Sequence, residues 1–262
     1  MSGVPGLIAK GAIVSGPSAP TRAAGRLGKG DVIGSAVQLF ERDFLARPAW
    51  EVAPDLLGCV LEHVTDEGVV SVELTEVEAY AGELDPASHA YRGRTDRNAV
   101  MYGPPGYAYV YFTYGMHFCV NVICMPEGTA NGILLRAGRV ITGEELARER
   151  RALRRPGRGQ PLVADTARVI PARDLARGPA RLCQAMAIDR TQNGADLCDP
   201  ASPLRLGRMV GDAAKGEQLQ ISAGPRVGVS AGADTNWRFW LANDPTVSVY
   251  RPHKPRTHPA TR

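Results

Sequence analysis

Two acidic side chains near the end of one apolar segment are the first candidates for chemistry in this sequence. Side chains two residues apart share a face of a strand, so Glu76, Glu78 and Tyr80 continue a face that begins with Val72 and Leu74. A carboxylate at an inward position is costly unless it is paired or used. Glu76 or Glu78 is therefore a candidate catalytic group. A strand edge whose acids simply reach water is the alternative interpretation.

An arginine in a later apolar run is the expected partner of these acids. Arg136 alternates with apolar neighbours in the stretch 133–137, which follows a tight turn at Asn131 and Gly132. A buried arginine needs an anionic partner, and Glu78 is the obvious candidate.

Aromatic side chains concentrate in a second pair of strands. Tyr107, Tyr109 and Tyr111 fall on one face of a strand, and a further β-rich run covers residues 117–124. The residues between them include Gly115, which tolerates the positive φ that a hairpin turn needs. The sequence therefore predicts a protruding β-hairpin.

The tip of this hairpin carries Tyr114 and Met116. An exposed aromatic ring adds little to folding stability, so contact with a partner is one explanation, and a wedge between stacked bases is one such use. A tyrosine folded back on its own hairpin is the alternative.

Short motifs in a fixed order make the chain similar to one known family over roughly residues 39–249. They are Glu-Ala-Tyr at 78–80, His89, Tyr-Val-Tyr at 109–111, Tyr-Gly-Met at 114–116, Asn121, Leu-Leu-Arg-Ala at 134–137, Gly-Pro-Ala-Arg-Leu-Cys-Gln-Ala at 178–185 and Arg-Val-Gly-Val at 226–229. The sequence resembles the methylpurine (3-methyladenine, alkyladenine) DNA glycosylases.

The resemblance implies a role for each matching residue. It implies a single-domain enzyme that flips alkylated or deaminated purines out of duplex DNA and hydrolyses the N-glycosidic bond with an activated water. Glu78 would activate the water, which Arg136 and the backbone carbonyl of Val227 would help to hold. The damaged base would lie among Tyr80, His89, Tyr111 and Asn121, and Tyr114 would intercalate into the duplex with Met116 beside it.

Two further segments suit contact with phosphates. The loop 83–98 places Arg92, Arg94 and Arg97 around His89, although a solvated loop explains the same composition. Pro179 predicts the start of a helix whose first N–H groups at Gly178 face a phosphate, with Arg181 in its first turn.

Composition restricts the class of protein. The chain has 262 residues, 44% hydrophobic and 22% charged, with a net charge of +4, which suits a soluble protein with a polyanionic partner. Its five cysteines are scattered, which indicates reduced thiols in the cytosol rather than a disulfide framework or a zinc site. No apolar run is long enough for a membrane span. We expect no cofactor and no metal, and a monomer acting on damaged double-stranded DNA in the cytoplasm, at the nucleoid if the source is bacterial.

The expected organisation is a disordered tail (1–36), a glycosylase domain (37–250) and a basic tail (251–262). The predicted fold class is α+β, a curved antiparallel sheet with surrounding helices. The segment 142–145 predicts a capping box that starts a helix ending near Arg155, and 154–160 predicts a mobile basic loop. Short strands are predicted at 204–206, 219–221, 226–229, 237–241 and 247–249.

Two other function classes remain open. A noncatalytic nucleic-acid binder would use the same arginines and aromatic rings without Glu78. A nucleotide- or RNA-modifying enzyme on a similar barrel would need a different nucleophile or cofactor motif, which the sequence does not show. If the chain is an enzyme, its chemistry should stop at base removal, since strand-cleaving glycosylases usually attack with an amine. The only lysines are Lys10, Lys29, Lys215 and Lys254, all predicted to lie in tails or in a polar turn.

Overall fold

A long central strand organises the molecule and carries both candidate acids. The computed structural model describes residues 37–113, 115–154, 163–165, 169–210 and 219–253. In it, strand β3 (Gly68–Tyr80) runs for 13 residues through the middle of the sheet. Its alternating valines and glutamates favour an extended backbone. The first half of β3 pairs with β2, whereas the end that carries Glu76 and Glu78 pairs with β12.

The described residues form one large antiparallel sheet and a few short helices. The sheet order is β1-β10-β2-β3-β6-β5-β4, with β12 also pairing with β3, β11 with β12, and β9 with β6. A separate small sheet contains β7 and β8. The strands are β1 (Val37–Leu39), β2 (Val60–Thr65), β3, β4 (Ala108–Thr113), β5 (His117–Ile123), β6 (Gly132–Thr142), β7 (Leu153–Arg154), β8 (Val163–Ala164), β9 (Ala176–Arg177), β10 (Leu204–Met209), β11 (Ile221–Gly224) and β12 (Arg238–Leu241).

The helices are short and lie around the sheet. They are α1 (Arg42–Leu45), α2 (Ala49–Val52), α3 (Glu144–Ala152) and α4 (Pro179–Met186), with 3₁₀ turns at Ala53–Leu56, Gly82–Leu84, Ala99–Tyr102, Ala172–Asp174 and Arg190–Gln192. Helix α4 packs against β5 and β6 with Leu182, Ala185 and Met186 buried. The α+β prediction is confirmed. No helix in the described part of the chain is long and apolar enough to cross a membrane.

Two details at the start and end of α3 differ from the prediction. The capping box is wrong, because Thr142 is the last residue of β6 and Gly143 occupies the cap position at a φ of 72° without any side-chain cap. The helix ends at Ala152, three residues early, because Leu153 turns extended and pairs with Ala164. The predicted basic loop falls on residues 155–160, which lie outside the described residues.

Two of the predicted strands are also wrong. Residues 226–229 form a turn with Gly228 at a φ of 71°, and 247–249 are irregular. In the second segment the backbone groups bind charged side chains instead of a neighbouring strand: the Ser248 N–H donates to Glu76, and the carbonyls of Val247 and Ser248 accept from Arg177 and Arg238. The predicted tails at 1–36 and 254–262 lie outside the described residues.

The five cysteines all lie in the described part of the chain, where none is joined to another by a disulfide. Four of them, Cys59, Cys119, Cys124 and Cys183, are buried. Buried cysteines outside disulfides commonly pack as small apolar side chains.

Candidate active site

Glu78 lies fully buried near the end of β3 and is held by three donors. Its Oε2 accepts from the Tyr80 hydroxyl at 2.8 Å and from Nη1 of Arg136 at 3.1 Å. Its Oε1 accepts from the Val227 N–H at 2.7 Å. The structure therefore brings together the three residues expected to act on water, Glu78, Arg136 and Val227. The Val227 contact shown is made by its amide nitrogen, which orients the carboxylate.

The position of Arg136 follows from an irregularity between β3 and β6. Glu76 lies opposite Ala137 and Val77 lies opposite Leu135, so the register shifts and Arg136 has no directly opposed residue. Such a bulge re-aims a side chain. The Arg136 guanidinium reaches both acids, with Nε 2.9 Å from Oε1 of Glu76. Glu78 is thus one of two partners of Arg136, where the sequence predicted only one.

Glu76 is enclosed more completely than Glu78. Besides Arg136, its Oε1 accepts from Nε of Arg238 at 2.7 Å and from the Ser248 hydroxyl at 2.9 Å, and its Oε2 accepts from the Ser248 N–H at 2.7 Å. Burial raises the pKa of Glu76, but the charges of Arg136 and Arg238 outweigh it, so the net pKa is lowered. Glu76 is therefore an ionised carboxylate bound on every side.

The same cluster shifts the ionisation of its other members. Burial lowers the pKa of Arg136, but the charges of Glu78 and Glu76 outweigh it and the net pKa is raised. Burial, followed by the neighbouring Glu78 carboxylate, raises the pKa of Tyr80 well above its ordinary value. Arg136 thus stays a cation and Tyr80 a neutral hydrogen-bond donor.

An aromatic cluster adjoins this charged group. The rings of Tyr109 and Tyr111 stack with centroids 5.5 Å apart, and His89 meets Tyr111 edge-on at 4.4 Å. Nδ1 of His89 lies 3.3 Å from the Tyr109 hydroxyl, and Nδ2 of Asn121 donates to the Tyr109 carbonyl at 3.2 Å. Burial, followed by the charge of Arg97, lowers the pKa of His89, so its imidazole is neutral at pH 7.

The aromatic cluster and the charged group meet at Tyr80. Its hydroxyl binds Glu78, and the Tyr111 hydroxyl is close enough to contribute to its raised pKa. Of the four residues predicted to hold a base, Tyr80, His89 and Tyr111 are therefore neighbours, and Asn121 lies opposite Tyr109 on β5. Flat rings and neutral donors suit an aromatic ligand.

A cavity of about 580 Å³ adjoins Arg136. Its lining includes Gly178, Pro179 and Arg181 at the start of α4, together with Val227 and Ser248. It is strongly cationic, since its described lining includes Arg136, Arg151, Arg177, Arg181 and Arg251, with Asp174 as the one acid. Such a cavity suits an anionic ligand.

The remaining predicted contact residues lie at the surface. The side chains of Arg92 and Arg94 are exposed, and Arg94 lies over the Tyr102 ring. Met116 is 68% exposed in the turn between β4 and β5. Tyr114 lies outside the described residues. Within the described ranges, no group of three or more His, Cys, Asp or Glu side chains could hold a metal ion.

Sequence reasoning missed the residues that hold the acids in place. Arg238 sits in an apolar strand, as Arg136 does, so the same pattern could have identified it. Ser248 has no such signal, because its contacts are made by an irregular backbone. Arg226 was expected in a strand, yet its guanidinium is fully buried against Asp85 and under the Tyr80 ring.

Comparison with known proteins identifies the family of this chain. The model of the methylpurine-DNA glycosylase family matches residues 43–245. A protein of Streptomyces avermitilis is 51% identical over 217 residues, 82% of this chain and 93% of its own length. One of Leifsonia xyli subsp. xyli is 48% identical over 221 residues, 83% and 94% of the two chains. Each is named "Putative 3-methyladenine DNA glycosylase". This chain therefore belongs to the methylpurine-DNA glycosylase family and is a hydrolase acting on N-glycosyl bonds in DNA.

Proposed function

We propose that the enzyme removes alkylated purines of the 3-methyladenine type, and deaminated purines, from duplex DNA by flipping the base and hydrolysing its N-glycosidic bond. The observation that carries the proposal is the Glu78 carboxylate, fixed by Arg136 and the Val227 N–H at the edge of an aromatic cluster. A buried carboxylate in a fixed orientation suits a general base, and the rings suit a flat base.

Glu78 acts on the water that attacks the sugar. As the C1′–N bond breaks, its electron pair leaves with the base, and the water oxygen bonds to C1′ while its proton passes to Glu78. The sugar has oxocarbenium character in the transition state, so the negative carboxylate also stabilises it by charge. A methylated purine already carries a positive charge and leaves as a neutral base. The Val227 carbonyl and Arg136 would help to hold the water.

The aromatic side supplies binding and selection. Tyr80, His89 and Tyr111 would stack on or border the flipped base, and stacking contributes about 1–3 kcal/mol per base. Neutral His89 and Tyr80 bring no second positive charge toward a cationic base. Asn121, anchored on the Tyr109 carbonyl, is the residue we assign to excluding the amino group of guanine.

The cationic surfaces would hold the DNA strand. Arg181 and the free N–H groups at Gly178 face the cavity beside Arg136, so they suit the phosphates that flank the flipped nucleotide. Exposed Arg92 and Arg94 would contact the backbone in the same way. Tyr114 would fill the gap left by the base, with Met116 beside it. We infer that the enzyme works as a monomer on chromosomal DNA in the cytosol.

Release of free base from defined duplexes tests this proposal. Duplexes carrying one 3-methyladenine, hypoxanthine or ethenoadenine are incubated with the enzyme, and the released base is measured by chromatography. We expect release from the 3-methyladenine duplex and none from undamaged DNA. Binding to the duplexes without release of any base would contradict the proposal.

We further propose that the reaction stops at an abasic site. Water is the nucleophile in this scheme, and arginine cannot replace an amine because its guanidinium stays protonated. All four lysines, Lys10, Lys29, Lys215 and Lys254, lie outside the described residues. Borohydride trapping distinguishes the two chemistries. A covalent protein–DNA adduct that is lost in Lys215→Ala would overturn the water mechanism.

A further inference from the structure

Glu76 is a buried carboxylate that the proposed mechanism does not use. It is fully inaccessible and is bound by Arg136, Arg238 and both the N–H and hydroxyl of Ser248. Since every contact comes from a different strand or segment than its own, Glu76 joins β3 to β6, β12 and the segment around Ser248. No substrate can reach it without displacing these donors.

The guanidinium of Arg136 is divided between the two acids. Its Nε donates to Glu76 at 2.9 Å and its Nη1 donates to Glu78 at 3.1 Å. A free guanidinium prefers to grip one carboxylate with two parallel N–H groups. Glu76 binds Nε, and the Ser248 hydroxyl, itself a donor to Glu76, lies 3.5 Å from Nη2, so Glu78 receives one N–H from Arg136.

We propose that Glu76 is a positioning residue for Glu78, because it holds Arg136 in an orientation that leaves Glu78 with a single arginine contact. This inference rests on the proposed function, in which Glu78 is the general base. Without Glu76, Arg136 would turn both N–H groups onto Glu78. That grip would stabilise the ionised carboxylate, weaken it as a base and rotate it away from the water.

The other groups around Glu78 do not reverse this expected weakening of Glu78 as a base when Glu76 is lost. Tyr80 on β3 and the Val227 N–H donate to it, and Arg238 on β12 lies opposite it in the sheet. Tyr111 on β4 and Cys119 on β5 face it as neutral groups, since burial raises the pKa of each. Replacing Glu76 by glutamine leaves the Tyr80, Val227, Tyr111 and Cys119 groups in place and removes one negative charge from beside Arg136 and Arg238.

The test compares Glu76→Gln with Glu73→Gln by single-turnover release of 3-methyladenine from duplex DNA between pH 4.5 and 8. Glu73 is a matched control, because it also lies on β3 and pairs with an arginine, Arg139, outside the site. Titration with a duplex carrying an uncleavable lesion analogue gives the active fraction. In the pH–rate profile, we expect Glu76→Gln to lower the plateau rate per active molecule about tenfold or more. The acidic limb of the profile should move to lower pH. The control should match the wild type, and the Kd for lesion duplex should stay within threefold in both variants.

Unchanged plateau rate and acidic limb in Glu76→Gln would overturn the inference, even if less protein is active. That result together with an inactive Glu78→Gln leaves the proposed function standing. An active Glu78→Gln, by contrast, removes the proposed function itself.

If Glu76→Gln does not fold, Ser248→Ala decides the question. The Ser248 hydroxyl also accepts from Nη2 of Arg136 at 3.5 Å, so its loss frees the N–H that would join Nη1 in a two-contact grip on Glu78. The acidic limb of the pH–rate profile should then move to lower pH, as in Glu76→Gln, with a rate loss of about threefold. A wild-type profile for Ser248→Ala would then overturn the inference.

Discussion

Two buried arginines near Tyr80 differ in what surrounds them. Arg226 pairs with Asp85 through two N–H groups, with side-chain exposures of 0% and 1%, and stacks on Tyr80 and Trp237. Arg136 divides its N–H groups between two acids and lines a cavity. The Arg226 pair is a closed contact within the protein, which suits a structural role. The Arg136 cluster borders a cavity, and we assign the chemistry there.

Disrupting the buried Arg226–Asp85 pair should have the largest effect, and that effect should be a loss of stability. Arg226→Met leaves Asp85 buried and unpaired, which should lower the free energy of unfolding by about 3–5 kcal/mol. For a domain of this size the melting temperature should fall by roughly 6–20 °C, measured by circular dichroism.

Arg139→Met is the control for this change, because the Arg139 side chain is 54% exposed in its pairs with Glu73 and Asp244. Its loss should cost at most about 1 kcal/mol. If Arg226→Met and Arg139→Met lose the same free energy of unfolding, the buried Arg226 pair stabilises the protein no more than a surface pair does.

A substitution in the cluster of Arg136, Glu76 and Glu78 should reduce catalysis instead of stability. Glu78→Gln keeps the shape of the side chain and removes the base, so single-turnover release should fall by about 10²-fold or more, which corresponds to about 2.7 kcal/mol of barrier. Binding to lesion duplex should persist in a gel-shift assay. If Glu76→Gln is inactive and Glu78→Gln is not, the catalytic role belongs to the other carboxylate.

A third change leaves both arginine clusters intact. Tyr114→Ala should weaken binding to lesion duplex and lower excision by about tenfold, because the gap left by the base is no longer filled. Single-stranded substrate needs no unstacking and should be affected less. Equal losses on the two substrates would indicate a folding role for Tyr114.

The smallest effect is expected at the outer wall of the cavity. Arg181→Ala should weaken binding to all sequences alike, by less than tenfold, and reduce the slope of log K against log salt by about 1. Fluorescence anisotropy at several salt concentrations measures this slope. Arg139→Ala, outside the cavity lining, should keep the wild-type slope; the same decrease in both variants would remove Arg181 from the proposed contacts.

The sequence was informative where a local pattern carries the chemistry. The alternation on β3 identified Glu76 and Glu78, and an arginine among apolar neighbours identified Arg136 as their partner. Pro179 correctly placed the start of α4, because proline fixes the first turn of a helix. These features depend on residues only a few positions apart.

The sequence was uninformative where distant segments meet. Ser248 lies 172 residues from Glu76, and Arg226 lies 141 residues from Asp85. Hydrophobic periodicity made the segments around Arg226 and Ser248 look like strands, whereas their polar groups are bound to buried charges. The false capping box has the same cause: pairing with β3 keeps Thr142 in β6, and that competes with its helix-starting role.

The neighbours of β3 also set an order of events during synthesis. Its first half pairs with the adjacent β2 as a local hairpin, whereas Glu76 and Glu78 pair with β12 and Glu76 binds Ser248. Translation at about 5–20 residues per second separates Glu76 from Ser248, 172 residues later, by roughly 9–34 s. A nascent chain can therefore hold the hairpin while its two carboxylates still lack their partners. Base-removing activity should therefore appear only after the segment around Ser248 has left the ribosome and bound Glu76.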